Sequence, residues 1–163
     1  MIVGTGDIAS VLNDREGCTF FASGISNSST TDPKQSEREA TLLMEQPRDK
    51  CLFYFSSFSV YTHQNFYFWH KRTMESLVRK YFPNYNIIRI SNIDWGKNPN
   101  TFLNNLRNKI KNGEPVELRD EYRFLISKEQ LLLLTDNLPL TGQNEINVFG
   151  KMGLVRDLVY EGL

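Results

Sequence analysis

The chain has 163 residues, enough for one compact core and too few for two. Apolar residues make up 40% of it and 19 acidic side chains balance 19 basic ones, which excludes a disordered chain and gives no electrostatic pull toward nucleic acid or an anionic membrane. Two cysteines, Cys18 and Cys51, make neither a disulfide framework nor a zinc cluster and read as buried free thiols.

In chain order, residues 1–3 are a short apolar start with no basic leader. No apolar run anywhere reaches the ~20 residues of a membrane span, so a cytoplasmic soluble protein is expected. A glycine turn, Gly4-Thr-Gly6, is followed by the helix-like apolar run Ile8, Ala9, Val11, Leu12. Residues 19–22 form a short apolar strand ending in Ser23-Gly24, and the small polar residues 26–31 form a loop. Asp32-Pro33 supplies an N-cap and a proline at the first helical position, for a helix to about Glu45 that Pro47 stops. Residues 51–56 are a strong strand, 66–82 a long helix closed by Pro83, and 86–90 a β-branched strand ending at Ser91-Asn92. A helix over 101–112 closes at Gly113, and a short strand is expected over 116–118. Ser127-Lys-Glu-Gln130 is a capping box that opens a helix through Asp136. Residues 146–149 form the last strand and 153–160 the last helix. Strands alternating with helices predict an α/β fold: a mostly parallel sheet with helices on both faces.

Gly4-Thr-Gly6-Asp7-Ile8-Ala9 fits G-x-G-x-x-A after a strand and at a helix start. The first glycine permits the turn, the second lets a pyrophosphate approach the backbone, and the small third residue packs helix on sheet. Alone the motif weighs evenly against an ordinary glycine turn, and no acid stands ~20 residues on to bind an adenosine ribose. Tyr67 and Lys71 are four apart, on one helix face. A lysine cation beside a phenol favours its ionised form, which suits proton exchange nearer neutral pH. The bland reading makes Tyr67 one of the packed aromatics Phe66, Tyr67, Phe68 and Trp69, with Lys71 a solvated charge. The conjunction with the strand-end hydroxyl Ser57 and the glycine turn favours the chemical reading. Ser59 competes with Ser57, since strand alternation puts both on one face. His63 and His70 join no metal-binding cluster, and no metal is expected.

These residues resemble the short-chain dehydrogenase/reductase superfamily, and most closely its extended branch, the NAD-dependent nucleotide-sugar epimerases and dehydratases. Phe55-Ser-Ser57-Phe-Ser-Val-Tyr61 resembles that branch's strand ending in Ser-Ser-x-x-Val-Tyr, and the register selects Ser57. Tyr67 and Lys71 match its Tyr-x-x-x-Lys pair. Ala22-Ser23-Gly24 resembles the small-residue turn lying along the cofactor. Ile88-Arg-Ile-Ser-Asn92 resembles the segment whose Asn holds the sugar nucleotide, and Arg123 sits where the branch often has an arginine for the nucleotide diphosphate. Residues 145–150 and 154–159 resemble its C-terminal strand and final helix.

The resemblance implies a Rossmann-like fold in a single shortened NAD(P)-binding domain over residues 1–163, with residues 93–145 forming a small substrate-side region. The branch's second and third strands, with the adenosine-binding acid, have no counterpart, and the interval from Ser57 to Tyr67 is short. Joining the first strand straight to the fourth with the first helix on its usual face makes a left-handed crossover, which is rare. Either the helix changes faces or another subunit supplies the missing half. The implied catalytic set is Ser57, Tyr67 and Lys71. The implied cofactor set is Gly4, Gly6, Asp7, Ile8, Ala22, Ser23, Gly24, Tyr67 and Lys71, for NAD or NADP. Asn92 and Arg123 are the implied substrate residues, for a nucleotide sugar. The expected activity is an epimerase, dehydratase or reductase; the alternative is a non-catalytic nucleotide- or partner-binding module. A homo-oligomer is expected too, with Phe68, Trp69 and Leu77 as an apolar outer face of the Tyr–Lys helix.

Overall fold

The computed structural model describes residues 1–118 and 120–161. Five parallel strands make the main sheet: β1 (Ile2–Val3), β2 (Cys18–Phe21), β3 (Cys51–Ser57), β4 (Tyr85–Ile90) and β7 (Gln143–Val148), side by side in that order. Between them run α1 (Pro33–Met44), α2 (Phe66–Tyr81), α3 (Phe102–Lys111) and α4 (Lys128–Asn137). A second sheet pairs β5 (Asn92–Ile93) with β6 (Tyr122–Ile126), and β6 with β8 (Lys151–Leu154), before the final helix α5 (Val155–Tyr160). This is a Rossmann-like α/β fold with helices on both faces of a parallel sheet.

Alternation along the strands builds two cores. Cys18, Phe20, Cys51, Phe53, Phe55 and Ile88 face one way, against Val11, Leu12 and Leu131 of α4. Phe21, Leu52, Tyr54 and Ile87 face the other way, against Leu43 of α1 and Met74 and Val78 of α2. Each large apolar side chain buried in this way is worth about 1.5–3 kcal/mol relative to exposure. A third cluster, Leu103, Leu125, Val155, Leu158 and Val159, ties α3 and α5 to the small sheet. Cys18 and Cys51 are in register on neighbouring strands, both free and buried. Burial pushes both thiols up, Cys51 to about 11, so neither is a reactive thiolate at neutral pH.

The capping signals are used as written. The Asp32 carboxylate accepts from the Lys34 amide, and Ser127 with Gln130 makes a reciprocal capping box. Other expectations are corrected. The glycine turn opens a single 3-10 turn, Ala9–Val11, where an α-helix was expected. The polar run 13–17 offers no second apolar turn, and the chain goes straight back into β2. Residues 116–118 form no strand, although Leu118 packs on the third cluster. Residues 151–154 are β8, so the last helix starts later than its sequence suggests.

The connecting segment after β1 also keeps its side. The strands step one way across the sheet while α1 and α2 cover one face and the Ala9–Val11 turn covers the other. The β1-to-β2 crossover therefore has the opposite hand to those through α1 and α2. The β4-to-β7 connection, through α4 on the same face as that turn, shares its hand. A 3-10 connection packed on Ile2, Ile8 and Leu12 accommodates this hand without a full helix.

Candidate functional site

A cleft of about 830 Å³ opens beyond the C-terminal ends of β1, β2, β3 and β4. That is where ligands bind in open α/β sheets. Each strand passes its end to the wall: β1 to residues 4–8, β2 to 22–26, β3 to Ser57 and Ser59, β4 to Ser91 and Asn92. Tyr67, Phe68 and Lys71 of α2 form one side, and Asn98, Asn100, Thr101, Phe102 and Leu103 a second rim. Gly4, Gly6, Asp7, Ile8, Ala22, Ser23, Gly24, Ser57, Tyr67, Lys71 and Asn92 all line this one space. Arg123 does not. It pairs with Glu121 at 2.9 Å and stands 5.3 Å from the ring of Phe102, which does line the cleft.

The glycine turn is shaped by close packing. Gly4 has φ +126° and backs onto the Ala22–Ser23 peptide, so a Cβ there would meet the Ala22 oxygen at 2.4 Å. Gly6 faces open space, with nothing within 4 Å of the place of a Cβ. The Asp7 carboxylate accepts from the Lys97 and Asn98 amides, both at 3.1 Å, and its carbonyl accepts from the Trp95 indole at 3.0 Å. Asp7 is thus a staple between the turn and the 95–98 loop. Asn98 also donates to the Ser26 hydroxyl at 2.9 Å, which joins the two rims of the cleft.

Ser57 ends β3 and caps the 3-10 turn Phe58–Tyr61, where its Oγ accepts from the Ser59 amide at 3.2 Å. Strand alternation stops at Ser57, so Ser59 reaches the cleft through that turn and not as the next inward strand residue. The Tyr67 ring is buried against Phe68, edge to face. Among the described residues its hydroxyl has no hydrogen-bond partner. Lys71 Nζ lies 5.8 Å from the Tyr67 ring centre.

Sequence reasoning missed the group behind Lys71. Glu39 of α1 is fully buried beneath the cleft. Its carboxylate accepts from Lys71 Nζ at 3.2 Å, the Tyr54 hydroxyl at 3.0 Å and the Ile25 amide at 2.9 Å, and it lies 3.0 Å from His70 Nε2. Burial raises the Glu39 pKa, but the Lys71 charge and these hydrogen bonds outweigh it and hold the carboxyl at about 2. Burial likewise pulls the Lys71 ammonium down, and Glu39 more than restores it. The expected low phenol pKa is therefore corrected. Burial raises Tyr67 above the ordinary tyrosine value, and Lys71, shared with Glu39, does not reverse that. His70 belongs to this buried cluster, while His63 is exposed. Gly24 lies on top of the cluster, and a Cβ there would come within 2.6 Å of Lys71 Nζ. No local pattern announces a contact between α1 and α2 across this distance in sequence. Arg38, another lining residue missed in sequence, turns its guanidinium to Ser23, with Nη2 donating to the Ser23 hydroxyl at 3.1 Å.

The apolar outer face expected on α2 is also revised. Phe68 and Leu77 pack inward, and Trp69 alone of the three stays outside. Among the described residues no group of three His, Cys, Asp or Glu side chains could hold a metal. No described helix is long and apolar enough to cross a membrane.

No protein-family model matches the sequence, and no curated protein sequence matches it. Solved structures do match the fold. The Bordetella bronchiseptica enzyme WbmG, in complex with NAD and UDP, superposes with a TM-score of 0.65 at 13% identity, covering 90% of this chain and 56% of that one. A mutant UDP-glucuronic acid 4-epimerase from Bacillus cereus, with NAD and a fluorinated UDP-sugar, gives 0.65 at 16% identity, covering 93% and 59%. The Thermus thermophilus UDP-glucose 4-epimerase in complex with NAD gives 0.62 at 14% identity, covering 88% and 60%. The chain thus has the fold of NAD-bound nucleotide-sugar epimerases and spans less than two thirds of their length.

Proposed function

We propose that this chain is an NAD-dependent oxidoreductase of the nucleotide-sugar epimerase, dehydratase or reductase kind, acting through Ser57, Tyr67 and Lys71. One observation carries the reading. Glycine turn, small-residue turn, strand-end serine, Tyr–Lys pair and Asn92 come from five separate segments and meet in one cleft. The cleft fits the diphosphate and nicotinamide half of a dinucleotide: Gly6 leaves an open backbone approach, and Gly24 keeps the space above Lys71 clear. NAD is preferred over NADP because the fold neighbours above hold NAD. When bound, the nicotinamide accepts or returns a hydride.

The chain's own residues do the rest. Tyr67, protonated at neutral pH, is the proton donor to a substrate carbonyl. The Ser57 hydroxyl, with its oxygen already fixed by the Ser59 amide, points a hydrogen bond at the same oxygen. Lys71, its charge paired with Glu39, holds its ammonium beside the phenol ring as a donor toward the cofactor. Asn92, held by a 3.2 Å bond to the Phe124 carbonyl, orients the sugar nucleotide at the cleft rim. A homo-oligomer belongs to the proposal, with exposed Trp69 at its contact; mass in solution measures it.

A second reading, a nucleotide-binding module without turnover, is favoured by the pairing of Glu39 with Lys71 and by the lack of adenosine-side strands among the described residues. One experiment separates the two. NAD and UDP-sugars are screened by thermal shift, where a ligand at 100 times its Kd stabilises by about 2.7 kcal/mol. Hits are then assayed for turnover with wild type and Tyr67→Phe. Turnover that drops about 10²–10⁴-fold in the variant, with ligand binding kept, supports the enzyme. Binding without turnover by the wild type supports the module, and no binding at all defeats both.

A further inference from the structure

We propose that Arg38 forms an anion site with Ser23 over the glycine turn, and that this site takes the diphosphate of a bound nucleotide. This rests on reading the cleft as a nucleotide site, and it names the group that makes the site bind. The glycine turn itself is poorly equipped to hold a phosphate. It opens three residues of 3-10 helix, and the Ser10 and Val11 amides are already bonded to the Gly6 and Ile8 carbonyls. Three residues of 3-10 helix carry little dipole to hold negative charge, so a cation beside the turn has most to add. The charges lining the cleft point the same way. Lys71 is matched by Glu39, and the Asp7 carboxylate is bound by two backbone amides. Arg38 has no carboxylate partner among the described residues, so its charge is the one left uncompensated at the wall.

Arg38 also stands in the right place. Gly4 packs against the Ala22–Ser23 peptide, so Ser23 and the turn share one floor. Arg38 reaches that floor from α1, with Nη2 3.1 Å from the Ser23 hydroxyl and Nη1 3.4 Å from its carbonyl. Two contacts fix the plane of the guanidinium, and its remaining N–H groups are free to bind oxygens. Gly6 leaves the opposite side open for a phosphate to settle.

The test is titration calorimetry of wild type, Arg38→Gln and Arg38→Lys with ADP, UDP, adenosine and uridine. Arg38 is exposed on α1, and equal unfolding midpoints will confirm that the variants fold. Arg38→Gln should weaken the diphosphates at least tenfold and leave the nucleosides unchanged. Arg38→Lys should recover part of the loss, since an ammonium keeps the charge without the planar fork. Inorganic pyrophosphate should displace ADP from the wild type. If Arg38→Gln binds the diphosphates within twofold of wild type, or loses nucleosides equally, the Arg38 site is wrong while the nucleotide reading stands. If the wild type binds none of them, both are wrong.

Discussion

A methyl group on Gly4 would press into the Ala22 carbonyl, and the backbone there has φ +126°, where side chains are strained. Gly6, two positions on, has ordinary φ and open space. The two glycines should therefore respond differently to one substitution. Gly4→Ala is expected to destabilise by about 1–3 kcal/mol, which lowers Tm by roughly 2–4 °C per kcal/mol in a chain of this size. Gly6→Ala should unfold like the wild type and instead weaken nucleotide binding, because the methyl group fills the approach. Equal unfolding midpoints for Gly4→Ala and wild type would contradict the packing described. At this scale the sequence was most legible where chemistry is local. Gly4, Ser57, Tyr67 and Lys71 were found from short spacings and do line one cleft. Glu39 and Arg38 were not found, because what matters about them is set by tertiary contact: one charge is buried under Lys71 and the other leans on Ser23.

Helix α2 is anchored to the sheet by charge as well as by Met74 and Val78. Glu75 is buried and takes two bonds from Arg89 of β4, at 2.8 and 2.6 Å, and one from the Ser56 hydroxyl of β3 at 2.7 Å. Arg89 and Arg79 both continue to Glu145 of β7, which links one helix to three strands. Removing one partner of such a buried set leaves a charge uncompensated, which typically costs about 3–5 kcal/mol. Arg89→Met should fall at the low end, since Arg79 still reaches Glu75 at 3.0 Å. Urea unfolding measures it, and a loss below about 1 kcal/mol would show that the network adds little. The elements themselves were read well where they carry caps or a long period: α1 from Asp32-Pro33, α4 from its capping box, β3 and β4 from continuous apolar runs. The small sheet was missed. β5 has two residues, and β6 and β8 are short and half-exposed, so neither length nor alternation marks them.

Across the whole molecule, the buried carboxylates set the response to acid. Glu39 is held at about 2, below its unfolded value, so its contribution is fully present above that unfolded value and is lost as pH falls through 4.5 toward 2. The linked stability is on the order of 3 kcal/mol. Glu145, held at about 2 by the Arg79 hydrogen bond and then Arg89, acts in the same direction but is a third exposed and adds less. Urea midpoints should be level from pH 7 to 5 and drop steeply by pH 3, with a shallower drop in Glu39→Gln; parallel curves for the two proteins would contradict the linkage. The global topology was only half legible. A parallel sheet followed from alternating elements, but the hand of the first crossover followed from which face the residues after Gly6 cover, and no periodicity encodes that. The indole that donates to the Asp7 carbonyl gives this architecture its own optical gauge. With the solvent-facing Trp69 replaced by Phe, Trp95 is the sole strong emitter left, and its fluorescence reports in real time whether the glycine turn and the 95–98 loop stay clasped while the cleft fills.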